Sequence, residues 1–176
     1  MDVRYSVNPE HFQRMTGAEI RREFLIENLF AADEVRPVYS HVDRMVTLGA
    51  MPVGGRLPID KGIDVWGAFG VQYLLERREV GIFNVGGTGL IEADGARYLL
   101  GHRDCLYVTM GTREVFFSSE DASAPAKFYM VSAPAHCAHE TRLLTLRDAA
   151  KRTLGSPETA NRRVIKNRSE DHTTEL

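Results

Sequence analysis

Several polar clusters in this 176-residue sequence contain residue types that can bind or transform a substrate. Arg77 and Arg78 stand together in LERREV, and the guanidinium fork of arginine matches the two oxygens of a carboxylate. Neighbouring Glu76 and Glu79 offer another explanation, because exposed ion pairs are common and individually weak. The arginines are therefore candidates for holding an acidic substrate, with surface ion pairing as the more common alternative.

Two further clusters combine histidine with charged residues. They are His41, Asp43 and Arg44 in SHVDR, and His102, Arg103 and Asp104 in GHRD. Alternate residues of a strand point to the same face, so His41 and Asp43 would share one face and line a pocket. A hydrogen-bonded histidine at a strand end is the more common situation. The candidate substrate-binding residues are therefore His41, Arg44, Arg77, His102 and Arg103, and no catalytic residue is assigned.

Two other patterns resemble known ligand sites but have weak context. In AHCAHE, His136, Cys137, His139 and Glu140 are zinc-ligating types, yet no second ligand cluster accompanies them, which favours solvated loop residues. In NVGGTG, a phosphate-binding loop would need Gly-Lys-Ser/Thr leading into a helix. Here the glycines run into LIEADG, which alternates like a strand. They therefore indicate a tight bend where backbones approach closely.

Composition narrows the function classes. The chain is 43% hydrophobic and 26% charged with a net charge of −2, so it lacks the basic excess of a nucleic-acid-binding protein. No apolar run is long enough to cross a membrane, and the charged N-terminus lacks the apolar core of a secretion signal. Two cysteines do not make a disulfide framework. We expect one domain in the cytoplasm that binds neither nucleic acid nor membrane.

The elements that must position these residues are mostly short strands. TGAEIRREFLIENLF predicts a helix, because Thr16 and Glu19 have capping-box spacing. A half-buried strand is predicted for PVYSHVDRMVTLGAMPV, because Val38, Val42 and Val46 stand at even-numbered positions and would face the same side of a strand. A hairpin turn is predicted at Asp94-Gly95. RLLTLRDAAKRTLG is compatible with a helix. The predicted division is an N-terminal extension (1–34), a barrel (35–134), a linker or helical segment (135–166) and a disordered tail (167–176).

The spacing of Glu79, Gly86 and Asp94-Gly95 resembles the first cupin motif, and GHRDCLYVTMGTREV resembles the second. The resemblance implies an all-β, cupin-type double-stranded barrel (a jelly roll), in which three histidines and a glutamate hold a metal. Here Gln72–Leu75 stand in place of the His-x-His pair and Glu114 in place of the last histidine. Glu79 remains as a degenerate metal-site position, so we expect a metal-free barrel.

Longer strings are similar to a narrower family. These are MDVRYSV, EFLIENLFAADEVRPVYSHVDRMV, YLLERREVGIFNVGGTGLIEADG, GHRDCLYVTMG and PAKFYMVSAPAH. From Met1 to Lys166 the chain resembles the N-terminal half of the 5-dehydro-4-deoxy-D-glucuronate isomerase family, which acts on a small uronate in pectin breakdown. The resemblance implies two fused cupin barrels, a hexameric homo-oligomer and zinc ligands in the C-terminal barrel.

No residue of this chain matches those zinc ligands. We therefore expect a chain truncated before the zinc-binding half, with no metal bound and uncertain isomerase activity. The alternative is a catalytically inactive, metal-free cupin that acts as an oligomerisation or sugar-binding module.

Overall fold

The computed structural model describes residues 1–167, which form 13 strands and three short helices. The helices are α1 (Pro9–Phe12), α2 (Gly17–Phe24) and α3 (Val65–Phe69). The strands are β1 (Asp2–Arg4), β2 (Val35–Ser40), β3 (Val46–Ala50), β4 (Leu57–Pro58), β5 (Arg78–Asn84), β6 (Gly89–Ala93), β7 (Ala96–Leu100), β8 (Cys105–Val108), β9 (Val115–Ser119), β10 (Phe128–Pro134), β11 (Arg142–Leu144), β12 (Ala150–Leu154) and β13 (Arg163–Asn167). None of these helices is long and apolar enough to cross a bilayer.

Two sheets enclose the core. Among the described residues, seven strands pair in the order β1-β2-β3-β10-β5-β8-β11 and four pair in the order β4-β9-β6-β7. Neighbouring strands are antiparallel except β1, which runs parallel to β2. The rings of Phe117 in β9 and Phe128 in β10 lie 5.1 Å apart, so the two sheets face each other. β12 and β13 form a separate hairpin.

Side-chain alternation along β5 explains how the strands build this core. Val80 and Ile82 are fully buried, whereas Glu79 and Phe83 lie on the opposite, outer face of the seven-stranded sheet. The interior is filled by apolar side chains of both sheets, each of which contributes about 1.5–3 kcal/mol when fully buried. The predicted all-β fold is confirmed, with two sheets around one apolar core.

The N-terminal helix has the predicted cap but ends early. The Oγ1 of Thr16 accepts the backbone N–H of Glu19 at 3.3 Å, and the Glu19 carboxylate accepts the N–H of Thr16 at 2.7 Å. The helix ends at Phe24 because Leu25 is extended. The following residues lie over the large sheet, where Leu29 sits so close to Gly49 that a Cβ there would clash.

The hairpin turn between β6 and β7 forms where the sequence predicts it. Asp94 and Gly95 have φ values of 44° and 84°, the left-handed values that a tight two-residue turn requires. The Asp94 carboxylate also accepts the backbone N–H groups of Arg113 and Glu114, which ties this turn to the start of β9.

Two local predictions were wrong. The segment from Val38 to Val46 is two strands rather than one, because Asp43 and Arg44 both have φ of 54° and turn the chain between β2 and β3. The segment 142–155 is not helical. β11 instead pairs with β8, which brings Leu143 opposite the buried Leu106, and β12 pairs with β13.

The predicted domain division stays a prediction. β1 comes before residues 35–134 in the sequence and β11 comes after them, yet both strands belong to the seven-stranded sheet. The predicted disordered tail lies outside the described residues from residue 168 onward.

Candidate functional site

The start of β5 places a buried guanidinium at one end of the barrel. Arg78 faces inward with Val80, and 6% of its surface is exposed. Its Nε donates to the Ser132 Oγ at 3.1 Å, and its Nη2 donates to the Ser132 carbonyl at 2.9 Å and the Arg44 carbonyl at 2.6 Å. We call this region the barrel mouth, consisting of Tyr39, His41, Arg44, Phe69, Arg78 and Ser132.

The charge at the barrel mouth has no ionic partner in the described part of the chain. Among residues 1–167, no carboxylate lies within 4.0 Å of Arg78. Burial lowers the pKa of Arg78, the Tyr39 hydroxyl acts in the opposite direction, and the nearby positive charge of Arg44 lowers the pKa further. Because arginine remains protonated in proteins, the barrel mouth keeps a positive charge, whose hydrogen bonds in the described part of the chain go to neutral oxygens.

Aromatic rings surround this charge. The guanidinium carbon of Arg78 lies 5.4 Å from the centre of the Phe69 ring. Phe69 packs against Tyr39, with ring centres 5.9 Å apart, and His41 meets the edge of Tyr39 at 5.0 Å. The exposed ring of Tyr5 stacks on His41 at 4.4 Å. A buried cation among aromatic rings is suited to holding an anion that also carries an apolar face.

A second polar cluster lies on the outer face of the same sheet. This outer-face pocket, of about 540 Å³, is lined by Glu79, Tyr107, His139, Glu140, Arg142 and Leu144. The Tyr107 hydroxyl donates to the Glu79 carboxylate at 2.7 Å. Burial, followed by this hydrogen bond, raises the pKa of Tyr107 to about 12. Arg142 stands opposite Tyr107 in the β8–β11 register.

The predicted substrate-binding residues do not converge on one site. His41 and Arg44 lie at the barrel mouth, whereas the Arg77 side chain is exposed beside it. His102 and Arg103 lie at the far end of β5, roughly 20 Å away over six strand residues. There the His102 Nδ1 is 3.2 Å from the Gly86 carbonyl, and the Arg103 N–H donates to the Asn84 carbonyl at 2.7 Å. The substrate-binding roles of all five residues stay predictions.

The sequence pointed to both Arg77 and Arg78, but only Arg77 was kept among the predicted substrate-binding residues, whereas the structure buries Arg78. Sequence reasoning also missed Tyr39, Phe69 and Ser132. The alternation in REVGIFN carried the signal for Arg78: if Val80 and Ile82 face the core, then Arg78 faces inward and Glu79 outward. Phe69 and Ser132 come from distant segments, and no local pattern points to them.

The glycine cluster at the far end of β5 serves close backbone packing. A Cβ on Gly86 or Gly87 would clash with the backbone of residues 124–127, and one on Gly89 would clash with Ala126 and Phe128. The interpretation of these glycines as a close backbone approach is confirmed.

Comparison with known proteins identifies the family. A family model described as the KduI/IolB family matches residues 67–175, more than half of the chain. The chain belongs to the KduI/IolB family. The 4-deoxy-L-threo-5-hexosulose-uronate ketol-isomerase of Salmonella paratyphi A is 49% identical over 165 residues, which covers 94% of this chain and 59% of that protein. The resemblance seen in the sequence is confirmed, and the chain spans less than two thirds of the length of this curated relative.

Solved structures with similar folds are more distant. Protein Ylba from E. coli has a TM-score of 0.46 and 11% identity, covering 73% of this chain and 51% of that chain. A cupin protein from Bacteroides fragilis has a TM-score of 0.39 and 14% identity, covering 65% of this chain and 92% of that chain.

The described residues of this KduI/IolB family chain do not fit a zinc site of the expected cupin type. Leu74 and Leu75 belong to the core, Gln72 and Glu114 are exposed, and Glu79 lies on the outer face. The Cys137 Sγ lies 3.2 Å from the His139 Nε2, but no group of three or more His, Cys, Asp or Glu side chains within residues 1–167 could hold a metal.

Proposed function

We propose that this chain acts in the ketol-isomerisation of 4-deoxy-L-threo-5-hexosulose uronate, the reaction named for its curated relatives. In pectin breakdown this would interconvert 5-dehydro-4-deoxy-D-glucuronate and 3-deoxy-D-glycero-2,5-hexodiulosonate. The structural observation that carries the proposal is the hydrogen-bonded pair of Glu79 and Tyr107 in the outer-face pocket. The size of this pocket falls in the range of small-molecule sites.

Ketol-isomerisation moves one proton between the two carbons that form the enediol intermediate and another between the oxygens on those two carbons. The Glu79 carboxylate is the candidate base that takes the proton from the carbon next to the carbonyl and returns it to the neighbouring carbon. Tyr107, whose pKa is raised to about 12, keeps its proton at neutral pH, and after turning away from Glu79 its single O–H can donate to the substrate oxygen that becomes a hydroxyl. Arg142 in the same pocket is the candidate partner for the uronate carboxylate.

Turnover measurements on paired variants test these roles. We expect Glu79→Gln and Tyr107→Phe each to lower kcat by about 100-fold or more, the usual contribution of a general acid or base. The matched controls are Glu120→Gln, on an exposed loop residue, and Tyr129→Phe, whose ring packs near Phe83. Unchanged turnover in Glu79→Gln and Tyr107→Phe, with folding intact, contradicts the proposal.

The barrel mouth favours a second candidate function, a sugar-binding module without catalytic activity. It combines a buried guanidinium with aromatic rings, and within residues 1–167 no carboxylate lies within 4.0 Å of Arg78. Absence of turnover in the purified chain, together with binding of a sugar acid, would support this function over the isomerase.

We also propose a homo-oligomer, located in the cytoplasm on the sequence grounds given above. Large apolar side chains are exposed at several points, including Phe83, Val85 and Leu99 on strands or their ends. Exposed apolar surface promotes association. Sedimentation velocity should show species larger than the 19.7 kDa chain, and a monodisperse monomer would contradict this proposal.

A further inference from the structure

We propose that the barrel mouth is a binding site for the carboxylate of a sugar acid, with Arg78 as its anchor. The choice of a sugar acid rests on the proposed function, whereas the anion site rests on the geometry of the barrel mouth. The site is separate from the outer-face pocket, because Arg78 and Glu79 are consecutive in β5 and face opposite sides of the sheet.

The first argument is the solvation of the buried charge. The hydrogen bonds of the Arg78 guanidinium use Nε and Nη2 and end on neutral oxygens of Ser132 and Arg44. Nη1 makes no hydrogen bond within the described part of the chain. A buried charge is stable when it is paired, and one carboxylate on Nη1 would provide that pairing.

The second argument concerns the charge of the ligand. The side chain of Arg44 adds a second positive charge close enough to act on Arg78. The buried guanidinium nevertheless offers one remaining nitrogen, which suits a singly charged carboxylate better than a phosphate that needs several donors.

The third argument is the aromatic surface beside the charge. Tyr39 and Phe69 are half-buried walls of the barrel mouth. Trp66 lies three residues before Phe69 on α3, so it projects from the same side of the helix, and its side chain is 71% exposed. Such rings offer an apolar face against which a sugar ring can pack.

Trp66 also provides the measurement, because it is the single tryptophan of the chain. We would titrate the full chain with galacturonate and record tryptophan fluorescence, with galactose as the neutral control. We expect a saturable change with galacturonate and at least about tenfold weaker binding of galactose, since a charge-assisted hydrogen bond contributes roughly 1.5–3 kcal/mol. Equal binding of the two sugars, or no saturable response to galacturonate by fluorescence or calorimetry, would overturn the proposal.

Two arginines in different sheets give a matched pair of variants. Arg78→Met should weaken galacturonate binding about tenfold or more, whereas Arg97→Met changes an exposed side chain on β7 of the four-stranded sheet and should leave binding within about twofold. Equal weakening by both variants would overturn the proposal. If Arg78→Met does not fold, the comparison of galacturonate with galactose on the Arg142→Met chain, which lacks the outer-face candidate for the carboxylate, decides the question. Binding and turnover are measured separately. A chain that binds galacturonate through Arg78 but shows no isomerase turnover would contradict the proposed function and not the binding site.

Discussion

Replacing Asn84 with alanine should destabilise the barrel more than any surface change. Asn84 is the last residue of β5 and is fully buried. Its side-chain nitrogen donates to the carbonyls of Gly87 at 2.7 Å, Leu100 at 3.0 Å and Gly101 at 3.3 Å, and its side-chain oxygen accepts the N–H groups of Gly86 at 3.1 Å and Lys127 at 3.3 Å. One amide therefore joins three chain segments at the far end of the barrel.

The magnitude follows from these contacts. The two shorter bonds contribute about 1 kcal/mol each, and the three longer contacts together add about 1 kcal/mol. We therefore expect Asn84→Ala to lower the free energy of unfolding by about 3 kcal/mol. Since domains of this size are stable by about 5–15 kcal/mol, such a loss is easily measured.

Urea unfolding is the suitable assay, because a lower midpoint at constant slope reports a loss of stability. Asn28→Ala is the control: Asn28 is exposed, and its backbone carbonyl rather than its side chain accepts a hydrogen bond from Arg36. The control should change stability by less than about 0.5 kcal/mol. If Asn84→Ala costs no more than Asn28→Ala, the amide does not join these segments and the reasoning is refuted.

Three further predictions concern a carboxylate, a turn and a phenol. Hydrogen bonds from the backbone N–H groups of Gly54 and Val53 hold the pKa of the Asp33 carboxyl below its ordinary value of 3.8. The ionised carboxylate should therefore stabilise the folded chain fully above pH 3.8, and this stabilisation should be lost as the pH falls through the lowered pKa. Urea midpoints against pH should show this loss, and Asp33→Asn should abolish it. Gly95→Ala should cost about 1–2 kcal/mol because φ there is 84°, and an unchanged melting temperature would contradict this. In carbon-13 NMR of labelled tyrosines, Tyr107 should titrate near pH 12, and Tyr107→Phe should remove that signal; titration near 10 would show that neither burial nor the hydrogen bond to Glu79 acts on this phenol.

Features fixed by neighbouring residues could be predicted from the sequence. The capping box at Thr16 and Glu19 needs one hydroxyl and one carboxylate three residues apart. The turn at Asp94-Gly95 needs two residues that tolerate positive φ. Both depend on local geometry, and the structure shows both where the pattern places them.

Features fixed by distant residues could not be predicted. The sequence of residues 142–155 is compatible with a helix. The edge of β8 instead offers backbone hydrogen-bonding partners to β11 and places Leu143 opposite Leu106. This tertiary pairing outweighs intrinsic propensity. The barrel mouth depends in the same way on Phe69 and Ser132, which the fold brings to Arg78 from separate segments.

The glycines at positions 86, 87 and 89 explain why this stretch reads like a nucleotide-binding loop. A nucleotide-binding loop needs residues without a Cβ because a phosphate lies close to its backbone. This bend needs them because the protein's own main chain lies equally close. Pattern searches that count glycines therefore cannot separate the two in small β-barrels. The side chain that precedes the cluster is more informative, since a buried asparagine whose amide is already saturated by main-chain groups has nothing left to offer a ligand.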